Sequence, residues 1–218
     1  SFARVIPVHR RGDGATEDKA AMFADAVGAL RGSSMLAVFP EGTTHDDPSI
    51  RPLRTGVARI ALQAAGSGVE GVRIVPVGVT YEDKVAVRGR ALVSYGRPIE
   101  VPADPTALAG DGAPDPDRVH DLTRRLQSDI EALTPHFDST EDAVALTEAA
   151  RISLRDDGAP DPPPMHDVAD RARALAASGP DAVRGLVDRV ARYEMLLRWV
   201  GLEDRGLTGG TSSTSLPR

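Results

Sequence analysis

The sequence predicts an α/β fold followed by an all-helical C-terminal appendage, and three observations carry that prediction. Short apolar runs alternate with amphipathic segments through residues 1–101, the pattern of a sheet with helical crossovers. Residues 72–80, Val-Arg-Ile-Val-Pro-Val-Gly-Val-Thr, are almost continuously apolar, as suits a strand covered on both faces. Beyond residues 102–117, which are rich in Pro, Asp, Ala and Gly, only helical periodicity remains.

Each element follows from local chemistry. Arg4 to Val8 reads as a short strand, followed by the basic loop His9-Arg10-Arg11-Gly12-Asp13-Gly14. A helix starts near Thr16, with Glu17 and Asp18 favourably placed against its dipole. Met22, Phe23, Ala26, Val27 and Leu30 share one face, and Gly32 ends it. Met35 to Phe39 reads as the second strand. A polar loop over 40–54 holds prolines 40, 48 and 52. The next helix runs from about Thr55 to Ala65, with Val57, Ile60, Ala61 and Ala64 as its buried stripe. Pro76 within the 72–80 strand calls for an edge position or a bulge, because proline has no N–H to donate. Arg90 to Tyr95 and Ile99 to Val101 complete the strands. In the appendage, Val119, Leu122, Leu126, Ile130 and Leu133 form a stripe. Ser139 and Asp142 form a capping box opening a helix toward Leu154, and Pro160 and Pro162 to Pro164 make a stiff break. Two further helices are expected near 166–177 and 181–200. The expected organisation is a domain over 1–101, a linker over 102–117, a helical appendage over 118–203 and a disordered tail over 204–218.

Composition narrows the function classes. The chain is 41% hydrophobic but only 4% aromatic, so its core is aliphatic. Its net charge of −6 is uneven: residues 1–100 hold 13 of the 26 basic and 11 of the 32 acidic residues. No dense basic patch interleaved with aromatics is present, which disfavours nucleic acid, and no nucleic-acid partner is expected. The absence of cysteine excludes thiolate nucleophiles and cysteine metal sites. No apolar run is long enough to span a membrane. Asp46-Asp47-Pro48 lacks the further clustered ligands a metal requires, and no Gly-rich nucleotide loop occurs. No metal and no cofactor is therefore expected.

The most informative stretch is Val38-Phe39-Pro40-Glu41-Gly42-Thr43-Thr44-His45-Asp46-Asp47. An apolar run stops at a proline, and a carboxylate, a glycine and two hydroxyls follow. Such loops present polar groups to ligands at strand ends in open α/β sheets. Three ordered blocks, Ile6-Pro7-Val8-His9-Arg10, Phe39-Pro40-Glu41-Gly42-Thr43 and Ile74-Val75-Pro76-Val77-Gly78, resemble the glycerolipid O-acyltransferase family. The family includes acyltransferases of glycerol 3-phosphate and of lysophosphatidic acid. The run from His45 to Pro48 with Pro52-Leu53-Arg54-Thr55-Gly56 is similar to its bacterial branch. The resemblance implies that residues 1–101 are the C-terminal portion of an acyltransferase domain. It implies acyl transfer from acyl-CoA or acyl carrier protein to glycerol 3-phosphate or its monoacyl ester. It places that reaction at the cytoplasmic face of a cell membrane, with peripheral contact to the membrane surface. Arg10 matches the phosphate-binding arginine, and Pro76 lies in the block that lines the acyl site.

A physical reading of the residues stands beside the substrate that the resemblance implies. A phosphate dianion favours guanidinium forks, and Arg10, Arg51 and Arg54 stand in loops beside element ends. The helix start near Thr55-Gly56 adds backbone N–H groups. Gly42 permits close backbone approach, and Thr43 adds a hydroxyl. Glu41 is expected to orient an arginine or accept from a glycerol hydroxyl. Arg11 reads as a solvated loop charge. Thr44 stands where the family often has arginine, so the charge is expected from Arg51 or Arg54.

The family's chemistry needs a histidine base with an aspartate five residues on. None of the five histidines fits: positions 14, 50, 125, 141 and 171 hold Gly, Ile, Arg, Glu and Arg. The expectation is an N-terminally truncated acyltransferase with no catalytic residue in this chain. The alternative is a non-catalytic glycerol-phosphate- or lipid-binding remnant. His45 reads as a loop-stabilising residue, and as the first suspect if the chain itself turned over.

Overall fold

The computed structural model describes residues 16–82, 89–109, 112–160 and 162–202. The candidate strand Arg4–Val8, the candidate ligand Arg10 and the tail expected to be disordered lie outside them. The chain divides into two compact units, Ser1–Asp46 with Ile50–Thr134 and Asp47–Ser49 with Pro135–Arg218.

In the first unit, helix α1 spans Thr16–Arg31 and helix α2 spans Gly56–Gly66, as their periodicity predicts. α2 buries Ala58, Ala61, Leu62, Ala64 and Ala65, whereas Val57 and Ile60 of the expected stripe are only half-buried, and this small-residue face packs with Val27 and Leu30 of α1. Val72 and Val101 close the cluster from the sheet side. Burying a side chain of Val or Leu size stabilises by roughly 1.5–3 kcal/mol, so this cluster is the unit's main cohesive element.

Among the described residues the strands form two small antiparallel sheets of two strands each. Strand β1 (Arg73–Ile74) pairs with β4 (Ile99–Glu100), and β2 (Val77–Tyr81) pairs with β3 (Ala91–Tyr95). The expected 72–80 strand is therefore split at Pro76. Ile74 lies opposite Ile99, yet Val77 lies opposite Tyr95. Two residues on one side thus face three on the other, a bulge of one residue. The Pro76 carbonyl still accepts the Gly96 N–H at 2.9 Å. One expected arrangement needs correction. The described strands form a hairpin-like ladder, with no helical crossover between parallel neighbours. Met35 to Phe39 has no regular secondary structure and joins no ladder among the described residues. Met35 and Phe39 are 94% and 89% exposed. An apolar run becomes a strand only when a neighbour takes its N–H and C=O groups, and its sequence neighbour Arg4–Val8 lies outside the described residues.

The domain boundary also shifts. Helix α3 (Pro116–Glu131), expected to open the appendage, belongs to the first unit. Its Val119 and Leu122 join the α1–α2 core. Segment 102–117 is fastened as well: Asp104 accepts from Arg118 at 2.7 Å, and the Ala109 N–H donates to Ala113 at 2.7 Å. The end of α3 seats on the sheet at Gly78, where a β-carbon would lie 2.7 Å from Thr134 Cγ2 and 3.0 Å from Leu133 Cβ. The boundary falls at Thr134–Pro135 because the α3 stripe needs an apolar partner and finds it on α2.

The second unit is helical, as predicted. Helices α4 (Thr140–Asp156), α5 (Met165–Ala176) and α6 (Pro180–Val200) pack around Phe137, Leu146, Ala150, Val168 and Ala172. Ser139 caps α4, its Oγ accepting the Asp142 N–H at 3.0 Å. Among the described residues, no helix is long and apolar enough to cross a membrane.

Candidate functional site

The loop over 40–54 is an organised structure. Its neck is closed by the Arg54 N–H donating to the Pro40 carbonyl at 2.7 Å. The Gly42 N–H turns back to the Phe39 carbonyl at 3.2 Å, with Gly42 at φ +67°. That left-handed conformation favours glycine. A β-carbon there would stand 3.1 Å from Arg54 Cγ, so the exposed Arg54 stem would have to give way slightly. The Arg54 stem therefore lies across Gly42. The loop's exit is held from α3: the Leu53 N–H donates to Gln127 Oε1 at 2.9 Å, and Gln127 Nε2 donates to Glu131 at 2.5 Å.

Glu41 sits at the centre of this loop. Its Oε2 accepts from His45 Nε2 at 2.5 Å and from the Arg51 backbone N–H at 2.9 Å. The imidazole must be the donor, because an ionised carboxylate only accepts. The His45 side chain is 11% exposed and that of Glu41 27%, so the pair is sheltered while the carboxylate keeps an outlet to solvent. Thr43 is exposed, and its hydroxyl makes only a long 3.5 Å contact with the Thr44 carbonyl.

Arg54 is exposed, and its guanidinium has no ion-pair or hydrogen-bond partner among the described residues. Arg73, Arg90, Arg118 and Arg171 all hold a carboxylate within 3.1 Å. α2 begins two residues after Arg54. Its N-cap residue Thr55 has α-helical backbone angles, so its hydroxyl makes no capping bond, and no acid stands in the first turn. The first N–H groups of a helix lack intrahelical partners. An unpaired guanidinium thus stands before an uncapped positive helix end, an arrangement suited to an anion.

The candidates are therefore only partly gathered. Glu41, Gly42, Thr43 and Arg54 share one loop, and Arg10 is outside the described residues. Pro76 is fully buried beneath Gly96 and Leu133, not open to a ligand. The sheet's open apolar face instead carries Val77, Val79, Tyr81, Val93 and Tyr95. Strand alternation explains the exchange: Gly78 faces the end of α3, so its neighbours face outward. Sequence reasoning missed Gln127, which lies 74 residues from its partner Leu53. It also gave His45 no link to Glu41. Their spacing of four matched no motif, because the link depends on the Gly42 turn.

Residues 1–80 match the Acyltransferase family model. The chain is 29% identical over 124 residues to glycerol-3-phosphate O-acyltransferase 1 of Saccharomyces cerevisiae, covering 56% of this chain and 16% of that protein. It is 28% identical over 136 residues to glycerol-3-phosphate O-acyltransferase 2 of the same yeast, covering 62% and 18%. An uncharacterized acyltransferase of Schizosaccharomyces pombe is 36% identical over 70 residues, covering 32% and 10%. The chain thus spans less than a fifth of the length of these relatives. No solved structure matches it. The three motif blocks lie within the matched residues, and the match and these relatives support a glycerolipid acyltransferase family.

Proposed function

We propose that residues 1–134 form the acceptor-binding part of a glycerol-phosphate O-acyltransferase. The observation that carries this is the unpaired Arg54 guanidinium in front of the uncapped α2. Arg54, the α2 N–H groups and Thr43 take the phosphate, with Arg10 as the further cation the resemblance assigns. Glu41 takes a glycerol hydroxyl. The acceptor is glycerol 3-phosphate or its monoacyl ester, and the donor is acyl-CoA or acyl carrier protein. The acceptor's hydroxyl oxygen attacks the thioester carbonyl; a C–O ester bond forms, the C–S bond breaks and the thiol leaves protonated. A base removes the hydroxyl proton. That base is a His-x-x-x-x-Asp pair, which these 218 residues do not contain. The open apolar face of β2 and β3 is assigned to the acyl chain. The reaction serves phospholipid synthesis at the cytoplasmic face of a membrane, and the protein contacts that surface peripherally. The yeast relatives, both named as glycerol-3-phosphate O-acyltransferases, favour the glycerol phosphate acceptor.

A second reading is a binding-only protein. Calorimetry with glycerol 3-phosphate tests what both share. Binding should be seen for the wild type, and Arg54→Ala should weaken it roughly 10- to 100-fold, the range for a charge-assisted hydrogen bond. Equal affinity for the two proteins removes Arg54 from the site. Acyl transfer by a longer protein bearing the histidine block, and none by the 218-residue chain, distinguishes the two readings.

A further inference from the structure

We infer that His45 is a positioning residue that aims the Glu41 carboxylate at the acceptor's hydroxyl. The inference rests on the acceptor-binding reading above and assigns a role within that site. Two donors converge on a single oxygen of Glu41, the His45 Nε2–H at 2.5 Å and the Arg51 backbone N–H at 2.9 Å. The other oxygen, Oε1, takes no hydrogen bond among the described residues. An ionised carboxylate offers about four lone-pair sites. Occupying one oxygen from two directions fixes the plane of the group and leaves Oε1 to accept from outside.

The fixing matters because a carboxylate close to a bound phosphate is repelled by it. A Glu side chain with three free torsions would swing away. His45 opposes that swing, and being 11% exposed it is held by its own surroundings. Its position follows from Gly42. The left-handed turn at φ +67° reverses the chain, and residue 45 folds back over residue 41 outside any helix. Arg54, on the other side of Gly42, is free for the phosphate. The loop therefore separates two tasks. Arg54 and the start of α2 recognise the anion, while His45 and Glu41 recognise the hydroxyl-bearing carbon chain attached to it.

This division predicts a ligand-dependent effect. Binding of glycerol 3-phosphate and of inorganic phosphate would be measured for the wild type, His45→Ala and His45→Gln, with thermal unfolding of each. His45→Ala should weaken glycerol 3-phosphate about tenfold and leave inorganic phosphate unchanged. His45→Gln, whose amide N–H reaches a similar point, should recover most of that loss. Equal loss for both ligands, or no loss for either, overturns the assignment. A ligand-free measurement keeps it independent of the acceptor reading. Long-range proton–nitrogen spectra should show His45 as the Nε2–H tautomer, with its resonance moved by Glu41→Gln. An unmoved resonance overturns the assignment even if neither phosphate binds. A moved resonance without any phosphate binding supports the His45–Glu41 contact and overturns the role toward the acceptor, together with the acceptor reading.

Discussion

Helices α2 and α4 begin in opposite ways, although both follow a hydroxyl residue. Ser139 is extended, at φ −143° and ψ 161°, and its Oγ caps Asp142, with Glu141 and Asp142 in the first turn. α3 is closed similarly by Asp115, which accepts from the Asp117 and Arg118 N–H groups. α5 and α6 lack side-chain caps but carry Asp167 and Asp181 in their first turns. α2 alone among α2 to α6 has neither device. The difference is one of purpose. A capped start has spent its N–H groups on the chain itself, contributing about 1 kcal/mol of stability. An open start leaves them available, and Arg54 standing before it suits an anion.

The sharpest way to break this contrast is Gly42→Ala. An L residue forced to φ +67° costs roughly 1–2 kcal/mol, and its β-carbon presses on Arg54. We expect lower stability and more than tenfold weaker glycerol 3-phosphate binding, read by denaturant unfolding and calorimetry. Unchanged binding would detach Arg54 from the site. Next comes Ser139→Ala, which should cost about 1 kcal/mol of stability and leave phosphate affinity untouched. A loss of affinity would show that capped starts matter for binding too. Thr55→Asp gives α2 the acid it lacks. Stability should rise by about 0.3–1 kcal/mol through the helix dipole, while phosphate binding weakens severalfold. Stronger phosphate binding would refute the open-end argument.

The smallest effect concerns Asp104. The Thr106 hydroxyl, then Arg118, then the Thr106 N–H hold its carboxyl at about 2, below its ordinary value. A depressed folded-state value stabilises above the unfolded value of about 3.9 and is lost as pH falls from there toward about 2. The carboxyl carbon shift of Asp104 should titrate near 2, with only slight destabilisation because the group is exposed to solvent. Titration near 4 would show that Asp104 does not tie segment 102–117 to α3.

What the sequence revealed depended on range. The helix over 16–31, the start of α2 and the Ser139 cap rest on neighbours within four residues, and periodicity reports them. Pro76 announced its bulge because a missing N–H is a local fact. Met35–Phe39 looked like a strand because apolar runs do not show whether a ladder partner is beside them. α3 was assigned to the appendage because a stripe such as Val119-Leu122-Leu126 does not name its partner. Within the candidate site, the sequence placed Glu41, Gly42, Thr43 and Arg54 close together, and the structure keeps them in one loop. Gln127 was not, since its use is set only when α3 packs back.

The seat of Leu133 and Thr134 on Gly78 has a bearing on how the domain could be moved between proteins. Residue 101 looks like a natural end, where the last strand gives way to prolines. A graft cut there would leave behind the helix that covers α2 and the glutamine that steadies the 40–54 loop. The smallest transplantable piece runs on to Thr134, and position 78 stays a glycine in any host that receives it.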